Sequence, residues 1–80
     1  MPENKKIVIY STPNCPYCHQ AKRYLAEKGI SFLDKDVATD INARNEMVQK
    51  SGQLGVPVIE IDGHIIIGFN KPKLDEMLKL

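Results

Sequence analysis

The fold is decided by residues 7–18, which read IVIYSTPNCPYC. Residues 7–10 form a continuous apolar, largely β-branched run, which is typical of a strand buried on both faces. Four loop-forming residues follow at 11–14. Apolar residues then recur at helical spacing over residues 16–28, and Gly29 is placed to end that helix. The stretch therefore predicts a strand, a short loop and a helix, with two cysteines where the helix begins.

A second strand and a second helix are predicted next along the chain. The strand is expected at residues 30–34, so that strand, helix and strand form a βαβ unit with a parallel pair and a right-handed crossover. The helix is expected to start at Asp40 and to run to about Lys50 or Ser51. Four of its residues are predicted to share one side: Ile41, Arg44, Met47 and Val48.

The C-terminal third predicts a hairpin and a last helix. Residues 58–61 and 64–67 are strand-like and flank Asp62-Gly63, a strong two-residue turn signal. A final helix is expected from about Lys71 to Leu80, with these residues inward: Leu74, Met77 and Leu78. Because neither the N-terminal βαβ unit nor the C-terminal hairpin with its helix can bury a core alone, the two must share one sheet. We expect one α/β domain over residues 1–80, with a four-stranded mixed sheet (βαβ then ββα) and helices on both faces.

Composition excludes several function classes. The 11 Lys and Arg residues nearly balance the 10 Asp and Glu residues, which argues against a nucleic-acid footprint. No stretch approaches the roughly 18 apolar residues of a membrane span. The polar N-terminus has no apolar signal-peptide core, so a reducing cytoplasmic setting is expected. Nothing in the sequence demands a dimer, so a monomer is expected. Charged side chains such as Lys22 and Asp34 are expected to be solvated.

The CPYC motif at residues 15–18 indicates redox chemistry, because it lies between a strand and a helix of a βαβ pattern. Cys15 falls at the helix N-terminus, where free backbone N–H groups and the dipole favour an anion. We therefore expect a stabilised thiolate there, and the thiolate is the form that attacks a disulfide. Cys18 lies one turn further on the same side, close enough to resolve a mixed disulfide. Its more interior position predicts that it stays protonated until it is needed.

Zinc binding is the main alternative use of two cysteines at this spacing. A structural zinc site needs four ligands, and the chain has two cysteines. His19 and His64 complete a Cys2His2 set on paper. However, His19 directly follows Cys18 and is expected to point away from Cys15, while His64 begins a distant strand. No metal site is predicted, and a metal-binding module and an inert cysteine pair remain as alternatives.

A proline before the third strand is the second signal. Such a residue is commonly a trans loop proline, but the CxxC motif and the strand order favour a cis Val56–Pro57 bond here. A cis Pro57 would turn the backbone beside the Cys15 sulfur. It would also leave the Val56 N–H and C=O unpaired at a sheet edge, where they can hold a substrate backbone by β-strand-like addition.

Residues 9–18, the Gly-Val-Pro stretch at 55–57 and Gly68 together resemble a glutaredoxin along essentially the whole chain. The resemblance implies a thioredoxin-like fold and an oxidoreductase with no bound cofactor and with glutathione as co-substrate. In that family pattern Cys15 is the nucleophile, Cys18 the resolving residue, Pro57 the cis-proline and Val56 the backbone clamp on glutathione. Further substrate or glutathione contacts are expected from Thr12, Pro13, Tyr17, Gly68, Phe69 and Asn70.

Two positions depart from the pattern of glutathione-using members. Many of these members carry a lysine three residues before the nucleophile, where this chain has Thr12. Many also carry an Asp pair after the hairpin glycine. Here residues 69–72 read FNKP, which is similar to the glutaredoxin-like redoxins that serve ribonucleotide reductase. Two functions therefore stay open. One is reduction of protein disulfides or glutathione mixed disulfides, and the other is a glutathione-independent electron carrier reduced by thioredoxin reductase.

Overall fold

The computed structural model describes residues 6–78, which form four strands and three helices. In chain order these are β1 (Ile7–Ser11), α1 (Pro16–Glu27), β2 (Leu33–Asp36), α2 (Ile41–Ser51), β3 (Val58–Ile61), β4 (His64–Ile67) and α3 (Lys71–Leu78). Within that range, no helix combines the length and the apolar character needed to cross a bilayer.

The four strands form one mixed sheet in the order β2-β1-β3-β4. The central strand β1 pairs parallel with β2 and antiparallel with β3, and β3 pairs antiparallel with β4. This topology confirms the predicted four-stranded sheet. The parallel β1–β2 pair requires α1 as its crossover, which fixes the start of α1 at the carboxyl end of β1.

Residues of β1 alternate between two cores, which explains why the whole strand is buried and why Ile7, Val8, Ile9 and Tyr10 are apolar. Ile7 and Ile9 pack into a cluster with residues of α1, α3, β3 and β4. Val8 and Tyr10 pack on the opposite face, against α2 and the start of β3. The helices therefore cover both faces of the sheet, as predicted.

The second strand lies later in the chain than its prediction at residues 30–34. The end of α1 is closed by Gly29, with φ 71°, and by the Ile30 N–H, which donates to the Leu25 carbonyl at 2.9 Å. Ile30 and Phe32 pack against the core instead of pairing. The chain first pairs with β1 at Leu33, opposite Val8. The apolar residues at 30 and 32 thus belong to the helix-to-strand connection.

Helix α2 begins after Asp40, as predicted, but it packs through a different side. The Asp40 carboxylate accepts hydrogen bonds from Asn42 N at 3.0 Å and Ala43 N at 3.1 Å. Ala43 and Met47 are its buried residues, while Ile41 is 67% exposed. Ile41 and Ala43 are two positions apart, which is about 200° around the helix axis, so only one of them can face the sheet. Of the four residues predicted to share one side, Met47 is buried, whereas Ile41 and Arg44 are exposed.

The hairpin and the last helix confirm their predictions. Asp62 and Gly63 have φ values of 49° and 89°, and Ile61 pairs with His64 across the turn. Asn70 caps α3, because its Oδ1 accepts a hydrogen bond from Lys73 N at 3.2 Å. The inward residues behave as expected, with Leu74 buried and with Met77 and Leu78 packed against the same cluster. The predicted helix end at Leu80 lies outside the described residues.

The contrast between a buried and an exposed isoleucine leads to a prediction about the free energy of unfolding. Replacing the fully buried Ile59 with Ala should lower the free energy of unfolding by about 2–5 kcal/mol, because it removes apolar contacts and leaves a cavity. The same substitution at exposed Ile41 should change it by less than about 0.5 kcal/mol. Urea unfolding followed by circular dichroism measures both. An equal loss at the two positions would contradict the assigned packing of α2.

Candidate active site

Three loops meet at one end of the sheet because of the strand register. Tyr10 at the end of β1 lies opposite Val58, and Val58 lies opposite Ile67 at the end of β4. The segments just beyond these residues are therefore neighbours, and the Gly68 N–H donates to the Pro57 carbonyl at 2.8 Å. This end of the sheet carries all ten residues that the sequence predicted for the site: Thr12, Pro13, Cys15, Tyr17, Cys18, Val56, Pro57, Gly68, Phe69 and Asn70.

Cys15 caps the N-terminus of α1. Its backbone is extended, with φ −108° and ψ 108°, and Pro16 follows as the first helical residue. The Cys15 Sγ accepts a hydrogen bond from the Cys18 N–H, with an N···S distance of 3.2 Å. The sulfur thus occupies the position that a serine or aspartate oxygen takes in an ordinary cap. An anion at this atom is favoured by the free N–H groups of the first helical turn.

The Val56–Pro57 peptide bond is cis, as predicted. It brings the Val56 carbonyl oxygen to 3.9 Å from the Cys15 Sγ, where the thiol can donate to it. The predicted location at a sheet edge was wrong, because β3 lies between β1 and β4. Val56 instead precedes the paired part of β3. Its N–H has no hydrogen-bond partner among residues 6–78, so it stays available to an extended ligand backbone.

Cys18 occupies a different environment although it lies one helical turn away. It is fully buried, whereas Cys15 keeps 9% of its surface exposed. Burial, followed by the hydrogen bond with Cys15, raises the pKa of Cys18 to about 12 from an ordinary value of 9.0. A backbone hydrogen bond from Thr12 and the positive charge of Lys22 oppose this rise. Cys18 is therefore a neutral thiol in the reduced protein at neutral pH, as the sequence predicted.

A polar cluster of Ser11, Lys22 and Asp34 lies beside Cys18. The Lys22 Nζ donates to Ser11 Oγ at 3.3 Å and to Asp34 Oδ2 at 3.0 Å. The Ser11 hydroxyl donates to Asp34 Oδ1 at 2.7 Å. Asp34 is solvated as expected, with 42% of its side chain exposed, and Lys22 keeps 22% of its side chain exposed, but both also contact the buried Ser11 hydroxyl. The sequence signal was the four-residue spacing between Cys18 and Lys22, which places both on one side of α1.

The remaining residues predicted for the binding site differ in how many contacts they make with the rest of the fold. Tyr17 is 62% exposed in the first turn of α1, next to Cys15. The ring of Phe69 makes an edge contact with Tyr24, with the ring centroids 5.9 Å apart, and packs on the core. Gly68, with φ 80°, permits the turn out of β4. Asn70 is occupied as the α3 cap. Binding roles for these side chains stay predictions.

The two histidines lie in separate parts of the structure. The His19 Nε2 is 2.8 Å from the Pro13 carbonyl oxygen, and it donates there when that nitrogen carries the proton. His64 begins β4 and pairs with Ile61 in the hairpin. Within residues 6–78, no group of three or more His, Cys, Asp or Glu side chains is arranged to hold a metal ion.

Comparison with known proteins identifies the family. The family model described as Glutaredoxin matches residues 7–66. The chain belongs to the glutaredoxin family. A glutaredoxin-like 8.6 kDa protein from the rubredoxin operon of Clostridium pasteurianum is 53% identical over 73 residues, covering 91% of this chain and 97% of the relative. Glutaredoxin 3 of Escherichia coli K12 is 42% identical over 62 residues, covering 78% of this chain and 75% of the relative.

The fold comparison agrees with the family. The thioredoxin-like protein BC3987 superposes with a TM-score of 0.86 at 33% identity, covering 91% of this chain and all of that chain. This glutaredoxin is a thiol–disulfide oxidoreductase with a thioredoxin-like fold. The dithiol of Cys15 and Cys18 lies at the end of the sheet where its loops converge.

The unequal cysteines predict unequal alkylation. At pH 8 a thiol with a pKa of about 12 is ionised in about one molecule in ten thousand, since the thiol form dominates below the pKa. The folded Cys15→Ser variant, which retains Cys18, should therefore resist iodoacetamide at pH 8, while the Cys18→Ser variant should be alkylated at Cys15. Intact mass spectrometry measures both. In urea the two variants should react alike, and rapid alkylation of folded Cys15→Ser would contradict the assigned environment of Cys18.

Proposed function

We propose that this glutaredoxin reduces protein disulfides and glutathione mixed disulfides, with Cys15 as nucleophile and Cys18 as resolving residue. The supporting observation is the placement of the Cys15 Sγ, 3.2 Å from the Cys18 N–H and 3.9 Å from the Val56 carbonyl. The first contact favours a thiolate. The second puts the reactive sulfur beside the Val56 backbone, whose N–H is free to bind a substrate.

The proposed setting is a reducing cytoplasm, in which Cys15 and Cys18 are kept as a dithiol.

The first step is attack on a substrate disulfide. The Cys15 thiolate forms a bond to one substrate sulfur, and the other sulfur leaves with the electron pair and takes a proton from water. The product is a mixed disulfide at Cys15. When the Cys18 thiolate attacks the Cys15 sulfur, the bound group leaves as a thiol and Cys15 and Cys18 are joined in a disulfide. When a glutathione thiolate instead attacks the bound sulfur, Cys15 leaves as the thiolate and the bound group departs in a disulfide with that glutathione.

Substrate binding in this proposal begins with the backbone at Val56. Its N–H and C=O can pair with the backbone of a substrate cysteine as in strand addition. Exposed Tyr17 flanks the same sulfur from the helix side. At the far end lies the N-terminus of α3, where the helix dipole would favour a carboxylate of glutathione. Glutathione is accordingly the proposed co-substrate.

Single cysteine replacements test the assigned roles. Cys15→Ser should lose essentially all activity, because no nucleophile remains at the exposed end of the helix. Cys18→Ser should still reduce a glutathionylated peptide with glutathione as second thiol, but should lose reduction of protein disulfides that needs the dithiol. Coupled NADPH oxidation with glutathione reductase measures the first reaction. Retained turnover in Cys15→Ser would contradict the proposal.

A glutathione-independent electron carrier is the second candidate. It is supported by Thr12 in place of the expected lysine and by the FNKP sequence at residues 69–72. A similar protein from Clostridium pasteurianum is encoded in a rubredoxin operon. The side chain of Asn70 is also already used in capping α3. In this alternative the mixed disulfide forms with a partner protein, and thioredoxin reductase restores the dithiol.

The reductant distinguishes the two candidates. We expect the oxidised protein to be reduced by glutathione at a rate that saturates with glutathione concentration, because Val56 and the start of α3 provide a binding surface. Oxidation of NADPH in the presence of glutathione and glutathione reductase, or of thioredoxin reductase alone, measures both routes. Turnover with thioredoxin reductase and none with glutathione would establish the second candidate. Cys15→Ser is the blank in both assays.

A further inference from the structure

Lys22 is held in one position by two neighbouring elements of the fold. Its Nζ lies 3.3 Å from the Ser11 Oγ on β1 and 3.0 Å from an Asp34 oxygen on β2, and Ser11 itself donates to Asp34 at 2.7 Å. Ser11 is 2% exposed, whereas the Lys22 and Asp34 side chains keep 22% and 42% of their surface exposed. The ammonium group is therefore held between a buried hydroxyl and a partly exposed carboxylate.

The cluster lies next to the resolving cysteine. Ser11 continues the face of β1 that carries Ile9 and that α1 covers. The next residue, Thr12, makes a backbone hydrogen bond to Cys18. Cys18 and Lys22 are four residues apart on α1, one above the other. The ammonium charge therefore lies on the side of α1 that carries Cys18, and it opposes the rise in the pKa of Cys18 that burial causes.

We propose that Lys22 is a positioning residue for the resolving step, in which it holds a positive charge beside the Cys18 sulfur through its contacts with Ser11 and Asp34. This inference rests on the proposed function, in which Cys18 releases the bound substrate. Asp34 has two opposed effects. It fixes Lys22 in place, and its negative charge neutralises part of the charge that Lys22 offers to the sulfur.

The charge acts at the point where Cys18 must ionise. The Cys18 thiol loses its proton to solvent, and its thiolate attacks the Cys15 Sγ. The Cys15–Cys18 disulfide forms as the bond between Cys15 and the substrate sulfur breaks. The electron pair leaves on the substrate sulfur, which takes a proton from solvent. Lys22 neither gains nor loses a proton, and it stabilises the Cys18 thiolate electrostatically.

Dithiobis(nitrobenzoate) separates the two steps in one experiment. At high reagent concentration, attack by Cys15 releases the first coloured thiol in a fast phase that scales with reagent. Attack by Cys18 on the mixed disulfide releases the second in a slower phase that does not depend on reagent. Stopped-flow absorbance follows both phases in the fully reduced, full-length protein.

Four variants give distinct expected results. Lys22→Met should slow the second phase on the order of three- to tenfold, since a smaller thiolate fraction outweighs the higher reactivity of a more basic thiolate. Lys22→Arg should restore it, because it retains the charge. Asp34→Asn should accelerate it, because it leaves Lys22 unneutralised while keeping acceptors for Ser11. Arg23→Met, which removes an exposed charge from the adjacent position on α1, should leave both phases unchanged.

The outcomes separate this inference from the proposed function. A wild-type protein without a fast phase would contradict Cys15 as nucleophile. An intact fast phase with an unchanged slow phase in Lys22→Met would overturn the role of Lys22. Equal slowing in Lys22→Met, Lys22→Arg and Asp34→Asn would also overturn it, because a merely structural role predicts damage from every change and cannot produce effects of opposite sign.

Discussion

The hydrogen bond from the Cys18 N–H to the Cys15 sulfur is the interaction on which the site depends. The first N–H groups of a helix have no partner within the helix, so α1 must be capped from outside. Here the cap atom is the reactive sulfur itself, at 3.2 Å from the donor. The contact provides one of these N–H groups with an acceptor, and the thiolate of the proposed function would accept the same hydrogen bond. Pairing of β1 with β3 then brings Val56 to that sulfur from the other side.

The two cysteines obtain different chemistry from small differences in position. Both lie in the first turns of α1, yet the chain places Cys15 at the rim of the loops and Cys18 under them. Burial raises the pKa of Cys18, so in the proposed function the initial attack is made by Cys15. The proposed order of steps in disulfide exchange thus follows from how deeply each cysteine lies in the fold. Lys22, four residues after Cys18 on α1, carries a charge that opposes the rise in the pKa of Cys18.

Patterns local in sequence were predicted well, and arrangements produced by tertiary packing were not. Strand β1, the start of α1 and the Asp62-Gly63 turn follow from periodicity, capping and turn chemistry within a few residues. Strand β2 was misplaced because Ile30 and Phe32 are apolar for the sake of the core, and pairing begins only at Leu33. The cluster of Ser11, Lys22 and Asp34 joins three elements, so the four-residue spacing of Cys18 and Lys22 indicated only the side of α1 on which Lys22 lies and not its partners.

Backbone groups dominate the part of the site that meets a substrate, and this bears on substrate range. The contacts of the Cys15 sulfur are to the Val56 carbonyl and the Cys18 N–H, while Phe69 is held against Tyr24 and Asn70 is used as the α3 cap. In the proposed function, a backbone clamp at Val56 would pair with any extended cysteine-containing chain, whether a tripeptide or a protein segment. The same geometry would therefore suit either proposed substrate class. Discrimination between glutathione and a protein partner would then fall to the side chains around this clamp, where Thr12 stands in place of the lysine of many glutathione-using members and Tyr17 is exposed.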